Sequence, residues 1–281
     1  MPVLAPAKLK AHVELEVGSS GVTLSLEGRV ALVTGGSRGI GAATVRLFRK
    51  AGARVAFSYR NATAQALALQ EACGGPDHCL AIQQELSTPK DGRALVAAAV
   101  KAFGRLDCLV VNHGIWPSRD RPIRNMTDEQ WHGTIGTNLD SVFGLVRAGV
   151  GAMQHQRPLP GGGRCHIVLV SSTAGQRGEA YHADYAASKG ALISMTKGLS
   201  TELAGEGILV NCVAPGWVRT EMSAGTLSSP DASNRVFRSI PLGRVATPDE
   251  IAGPILFLCT PWAGFVTGEV FNVNGGAVLV G

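Results

Sequence analysis

From about residue 29 onward, short runs rich in Val, Ile and Leu alternate with Ala-rich amphipathic segments, and this alternation constrains the chain more than any other feature. A strand buried on both faces reads as a continuous apolar run, and a crossover helix returns the chain to a parallel neighbour. The pattern predicts strands over residues 29–34, 54–59, 79–84, 106–112, 166–171, 209–214 and 269–273. Between them it predicts helices over 41–51, a segment ending at 72, 92–103, one or two helices within 127–153, then 185–205 and 248–258. Thr127-Asp-Glu-Gln130 fits a capping box at the head of 127–153. An α/β architecture with a parallel sheet flanked by helices follows. A length of 281 residues allows one large domain of this kind or two small ones.

Composition narrows the partners. Lys plus Arg is 26 and Asp plus Glu is 21, giving a net charge of +5 with no dense basic run, which argues against nucleic acid. Residues 1–10 lack the apolar run of a signal peptide, and stretches such as 167–170 are far too short to span a bilayer, so no membrane partner is expected. The six cysteines lack ligand spacing and several sit in apolar runs, so they read as free buried thiols in a cytoplasmic protein. No HExxH or comparable cluster points to a metal. Asn61-Ala-Thr63 and Asn125-Met-Thr127 match the glycosylation triplet, but a cytosolic chain would not be modified there. The 36 glycines, about double ordinary usage, follow no collagen-like period and mark turns or close approaches.

The most informative glycines lie in Thr34-Gly-Gly-Ser-Arg-Gly-Ile-Gly41, directly between the first strand and the first helix. Gly35 and Gly39 permit backbone conformations that a Cβ would block. Gly41 lets the helix pack closely with its N-terminus facing a pyrophosphate. Ser37, Arg38 and Ile40 in the same loop are further candidate cofactor contacts. A P-loop would end in Gly-Lys-Ser/Thr, which is absent.

The spacing Thr-Gly-x-x-x-Gly-x-Gly resembles the cofactor loop of classical short-chain dehydrogenases/reductases, and further matches run from Leu26 to the C-terminus. Asn112-His-Gly114 stands where the family carries Asn-Ala-Gly. Asn138, Ser172, Tyr185 and Lys189 fall in the order and spacing of its catalytic tetrad. Pro215-Gly216, with Val218 and Thr220, matches the segment the family places over the nicotinamide. The resemblance implies a Rossmann-like doubly wound sheet spanning 26–281, with Asn112, Gly114, Tyr185, Lys189, Pro215, Gly216, Val218 and Thr220 among the cofactor contacts. It also implies that Glu85-Leu86, in place of the usual Asp, reaches the adenine, and that Asn138 holds a water linking Lys189 to solvent. His113 replaces a small residue and reads as a packed or cofactor-lining ring.

An acid at the end of the second strand would bind the adenosine ribose and repel a 2′-phosphate. This chain has Tyr59 there, followed by Arg60, with Arg38 in the glycine loop. Two guanidinium groups favour NADP(H), with NAD(H) as the alternative. Tyr185 and Lys189 are four apart on a predicted helix and so share a face. An ammonium beside a phenol, whose reference pKa is about 10, would lower that pKa and make Tyr185 a usable acid/base. Ser172 can bind the substrate oxygen, and strand alternation turns Ser171 the other way.

The substrate walls are expected from residues 176–182, 115–124 and a lid from 220 to 241. Arg119, Arg121 and Arg124 read either as contacts for an anionic tail or as a solvated loop. Residues 243–251 and 266–276 resemble those of 3-oxoacyl-thioester reductases, although Glu206 departs from the basic docking residue of carrier-protein reductases. The leading expectation is reduction of a ketone, a 3-oxoacyl thioester or similar, to a secondary alcohol. An NAD-dependent alcohol or sugar dehydrogenase and a non-catalytic nucleotide sensor are the alternatives. By resemblance the chain forms dimers or tetramers. Residues 1–25 precede the family core, and alternating Val13, Leu15, Val17 and Val22, Leu24, Leu26 around Gly18-Ser-Ser-Gly21 suggest a β-hairpin arm, the alternative being an irregular tail.

Overall fold

A computed structural model describes residues 22–158 and 163–280. Seven strands, β1 (Val30–Val33), β2 (Arg54–Tyr59), β3 (Cys79–Gln83), β4 (Cys108–Val111), β5 (Cys165–Val170), β6 (Ile208–Pro215) and β7 (Val270–Val273), form one parallel sheet in the order β3-β2-β1-β4-β5-β6-β7. The helices are α1 (Gly39–Lys50), α2 (Thr63–Ala72), α3 (Pro89–Phe103), α4 (Asp128–Ile135), α5 (Ser141–His155), α6 (Thr173–Arg177), α7 (Ala183–Leu203), α8 (Glu221–Leu227), α9 (Pro230–Arg238) and α10 (Pro248–Leu258). All seven strands fall where the apolar runs predict them. The apolar pattern does not predict three helices: α6 and α8 have only five and seven residues, and α9, although amphipathic, has nine.

Alternation along β1 assigns its residues to opposite layers. Ala31 and Val33 join Val45, Phe48, Phe57, Ile251 and Ile255 under α1 and α10. Val30 and Leu32 join Leu95, Leu109, Leu145, Ile167 and Leu192 under α3, α5 and α7. With both faces buried, side-chain burial drives assembly of the sheet. Strand order reverses between β1 and β4, which opens a crevice at their carboxyl ends. The 127–153 segment resolves into α4 and α5 joined through a π-helical turn, Gly136–Asp140, and such turns often accompany functional sites.

The first run and turn of the expected hairpin arm lie outside the described residues. Residues 22–26 form no strand among the described residues. Leu26 is fully buried and donates its backbone N–H to Ala51 O at 2.7 Å, which fixes the entry to β1.

Candidate active site

The loop from Thr34 to Gly39 leaves β1 at the crevice. Gly35 and Gly39 adopt φ of 65° and 53°, a region that disfavours side chains. A Cβ on Gly41 would fall 2.1 Å from Gly35 O and 2.7 Å from Asn112 Nδ2, so only glycine lets α1 approach this closely. Asn112 braces the loop: its Nδ2 donates to Thr34 O (3.0 Å) and Gly35 O (3.3 Å), and its backbone N–H donates to Thr34 Oγ1 (2.9 Å).

The head of α1 differs from those of α3 and α10, which carry complete capping boxes from Thr88–Asp91 and Thr247–Glu250. Arg38, the residue before α1, makes no side-chain cap, and no acid occupies the first turn. Its first amides and the positive end of its dipole therefore face the crevice, with the exposed Arg38 beside them and Ser37 and Ile40 half-buried on either side. Uncapped donors next to a cradle that a Cβ would fill fit a dinucleotide pyrophosphate.

At the ends of β2 and β3 the crevice is polar and open. Arg60 Nη1 lies 3.8 Å from Glu85 Oε1, and both side chains are more than half exposed, at 57% and 68%. Leu86 beside them is buried. Ser58 Oγ accepts the Gly35 N–H at 3.1 Å and ties β2 to the loop.

Helix α7 carries Tyr185 and Lys189, both buried. Lys189 Nζ donates to Val170 O at 2.9 Å and sits 5.8 Å from the centroid of the Tyr185 ring. The expected lowering of the phenol by this ammonium is not the dominant effect. Burial pushes Tyr185 up to about 12, opposed by a hydrogen bond with Ser172. Burial also lowers Lys189 to about 8. Ser172 lies two residues beyond β5, rather than at its end, and caps α6, accepting the Ala174 N–H at 3.1 Å. Ser171, also beyond the strand, donates to Lys189 O at 2.7 Å.

Asn138 occupies the π-helical turn, fully buried. Its Oδ1 accepts the Ile115 N–H at 2.8 Å, and its Nδ2 donates to Ile115 O (3.0 Å) and Ser188 Oγ (3.2 Å). The amide thus joins the loop after β4 to α7. Gly114 brings the backbone against this junction: its Cβ would meet Asn138 Oδ1 at 3.2 Å and Lys189 Nζ at 3.3 Å.

His113 is a packed ring with every polar atom engaged. Nε2 contacts Thr137 O (3.1 Å) and Ser141 Oγ (2.8 Å), and a carbonyl only accepts, so Nε2 carries the proton. Thr34 Oγ1 accepts two backbone N–H groups, which leaves its own hydrogen for Nδ1 at 2.7 Å. Burial, reinforced by the Lys189 charge, lowers His113 to about 3. The neutral ring ties the end of β1 to the turn that holds Asn138.

From β6, Pro215 and Gly216 lead to Val218, which is buried and pairs with Ala246 in an isolated bridge. A Cβ on Gly39 would meet Thr220 Cγ2 at 3.1 Å, so this segment crosses the glycine loop. The expected lid is helical: α8 and α9 cover an apolar cluster of Val236, Ile240 and Val245 and a cavity of about 320 Å³ lined by Thr220, Leu227 and Phe237. Arg119 and Arg124 are exposed, and the Arg121 N–H donates to Tyr181 O at 3.0 Å. Two side chains at the site, Trp116 and His182, lie within expected wall segments but were not singled out. A large aromatic side chain in a loop rich in Pro and Arg is the signal that marks Trp116. Among the described residues, no group of three or more His, Cys, Asp or Glu is placed to hold a metal, and no helix is long and apolar enough to cross a membrane.

A family model described as enoyl-(acyl carrier protein) reductase matches residues 35–278. The chain is 36% identical over 257 residues to the 3-oxoacyl-[acyl-carrier-protein] reductase of Vibrio cholerae, covering 92% of this chain and 100% of that one. It is 39% identical over 248 residues to an acetoacetyl-CoA reductase of Rhizobium meliloti, covering 88% and 98%. The structure of a 3-ketoacyl-(acyl-carrier-protein) reductase from Brucella melitensis complexed with NADH superimposes with a TM-score of 0.82 at 32% identity, covering 91% and 100%. The chain belongs to the short-chain dehydrogenase/reductase family, oxidoreductases that interconvert a CH–OH group and a carbonyl with NAD(P).

Proposed function

We propose that the protein is an NADP(H)-dependent reductase of 3-oxoacyl thioesters or similar ketones, with Tyr185 as the acid/base. The observation that carries this reading is the gathering of Tyr185, Lys189, Ser172 and Asn138 beside an uncapped, glycine-lined helix terminus. When bound, the dinucleotide supplies or accepts the hydride.

The protein's own groups do the rest. Ser37, Gly39, Ile40 and Gly41 hold the pyrophosphate, and Thr220, Val218, Gly216 and Pro215 close over the nicotinamide end. Ser172 hydrogen-bonds the substrate oxygen, and Tyr185 delivers a proton to it in reduction. Burial that keeps the phenol protonated suits this direction, because the group must arrive as an acid. Lys189 positions the ribose and stabilises the phenolate as it forms. Asn138 fixes the backbone of Ile115 and the α7 hydroxyl of Ser188, so the site is preorganised. Arg38 and Arg60 receive the 2′-phosphate, and Glu85 with Leu86 contacts the adenine.

The Arg60–Glu85 ion pair favours one second reading, an NAD-dependent alcohol or sugar dehydrogenase, because it puts a carboxylate near the ribose. Initial rates with NADPH and NADH against ketones including acetoacetyl-CoA separate the two. We read residues 26–281 as one catalytic domain, supported by the single sheet, and 1–25 as an extension. Exposed Phe265, Leu279 and Leu242 support assembly as a dimer or tetramer, and free cysteines suit a cytoplasmic setting.

A further inference from the structure

We propose that Trp116, clamped against His182, is a specificity-determining residue that limits the length of the group attached to the reacting carbonyl. The inference rests on the ketone-reductase reading above and concerns the same site. The Trp116 indole stacks on the His182 ring, with centroids 3.9 Å apart and planes at 18°. It also meets the Tyr185 ring edge to face at 4.7 Å and 77°. Tyr185 and His182 are buried while Trp116 is half-buried, so the indole is the outer surface that covers this side of the phenol.

The indole is also held in place. His182 Nε2 donates to Pro117 O at 2.9 Å, directly after Trp116 in the chain. The Arg121 N–H donates to Tyr181 O at 3.0 Å, directly before His182. Tyr181 adopts φ of 65°, a turn that sends its own side chain outward and lets its carbonyl take this bond. Two hydrogen bonds and one stack therefore join residues 116–121 to residues 181–182 as a single wall. An indole stacked on His182 and in edge contact with Tyr185 cannot swing aside without giving up both contacts together. A substrate whose carbonyl reaches Tyr185 and Ser172 must lay its neighbouring substituent along that indole. A short acyl group fits beside it, and a long one meets the ring.

The test uses the full chain with NADPH and a series of 3-oxoacyl-CoA substrates from four to twelve carbons. The expected wild-type preference is for the short members. Trp116→Ala raises the twelve-carbon to four-carbon ratio of kcat/KM at least tenfold, and His182→Ala shifts it the same way by releasing the stack. His182→Phe, which keeps an aromatic partner, retains the wild-type ratio, and thermal melting checks that each variant is folded. A ratio within twofold of wild type in folded Trp116→Ala and His182→Ala, or a wild type that already prefers twelve carbons, overturns the proposal. If no thioester is turned over, the thioester reading fails instead, and the same ratio on methyl ketones of increasing length decides the wall.

Discussion

Arg60 Nη1 and Glu85 Oε1 face each other 3.8 Å apart at the ends of β2 and β3, where the adenosine ribose of a dinucleotide would lie. So exposed a pair is weak, and a 2′-phosphate with two negative charges competes for the guanidinium effectively. Arg38→Ala combined with Arg60→Ala is expected to weaken NADPH binding by about tenfold or more while leaving NADH nearly unchanged. Fluorescence titration of both dinucleotides checks this. Equal losses for the two would show that the arginines do not read the phosphate.

Tyr185→Phe removes the proposed proton donor and its hydrogen bond with Ser172, while the ring keeps its contact with Trp116. Turnover is expected to fall about 10²–10⁴-fold with dinucleotide affinity retained. Steady-state rates and a binding titration on the same preparation check both halves.

Gly41→Ala places a methyl 2.1 Å from Gly35 O, a backbone atom that can yield only if the loop opens. Dinucleotide affinity is expected to drop at least a hundredfold. Gly151→Ala, on the open side of α5, meets nothing within 4 Å and is expected to raise stability by about 0.5–1 kcal/mol through helix propensity. Titration and urea unfolding of the two variants separate the cofactor role from the structural one.

His113 and His166 are both held neutral by burial, with values lowered to about 3. Between pH 6.5 and 3 the unfolded chain binds protons that the folded chain refuses. Stability therefore falls with decreasing pH across this window, by about 1.4 kcal/mol per pH unit for each histidine once well below 6.5. His113→Gln keeps polar atoms but does not titrate, so urea midpoints from pH 7 to 5 should fall less steeply than in the wild type. Because the ring also braces the turn carrying Asn138, kcat of this variant is expected to drop about tenfold.

The sheet, the glycine loop and the Tyr185–Lys189 face were all legible in the sequence, because each is written in neighbouring residues. A buried strand declares itself by four to eight apolar residues, and i,i+4 spacing on a helix fixes which side chains meet. The helices α6, α8 and α9 are not legible because five to nine residues span at most two and a half turns, too few for even an amphipathic segment such as α9 to repeat its pattern.

What only the tertiary structure decided is which distant residues touch. Asn138 meets Ser188 fifty positions away, and His182 meets Pro117 sixty-five positions away. Those contacts exist because β1 lies beside β4 and β4 beside β5, an order that brings the loops after all three to one end of the sheet. Local periodicity is indifferent to strand order, so it could name Tyr185 and Lys189 but not the brace of His113, the pairing of Arg60 with Glu85, or the indole of Trp116 over the phenol. It also could not weigh burial, a property of the whole assembly, and burial is what keeps the Tyr185 proton in place and lowers Lys189.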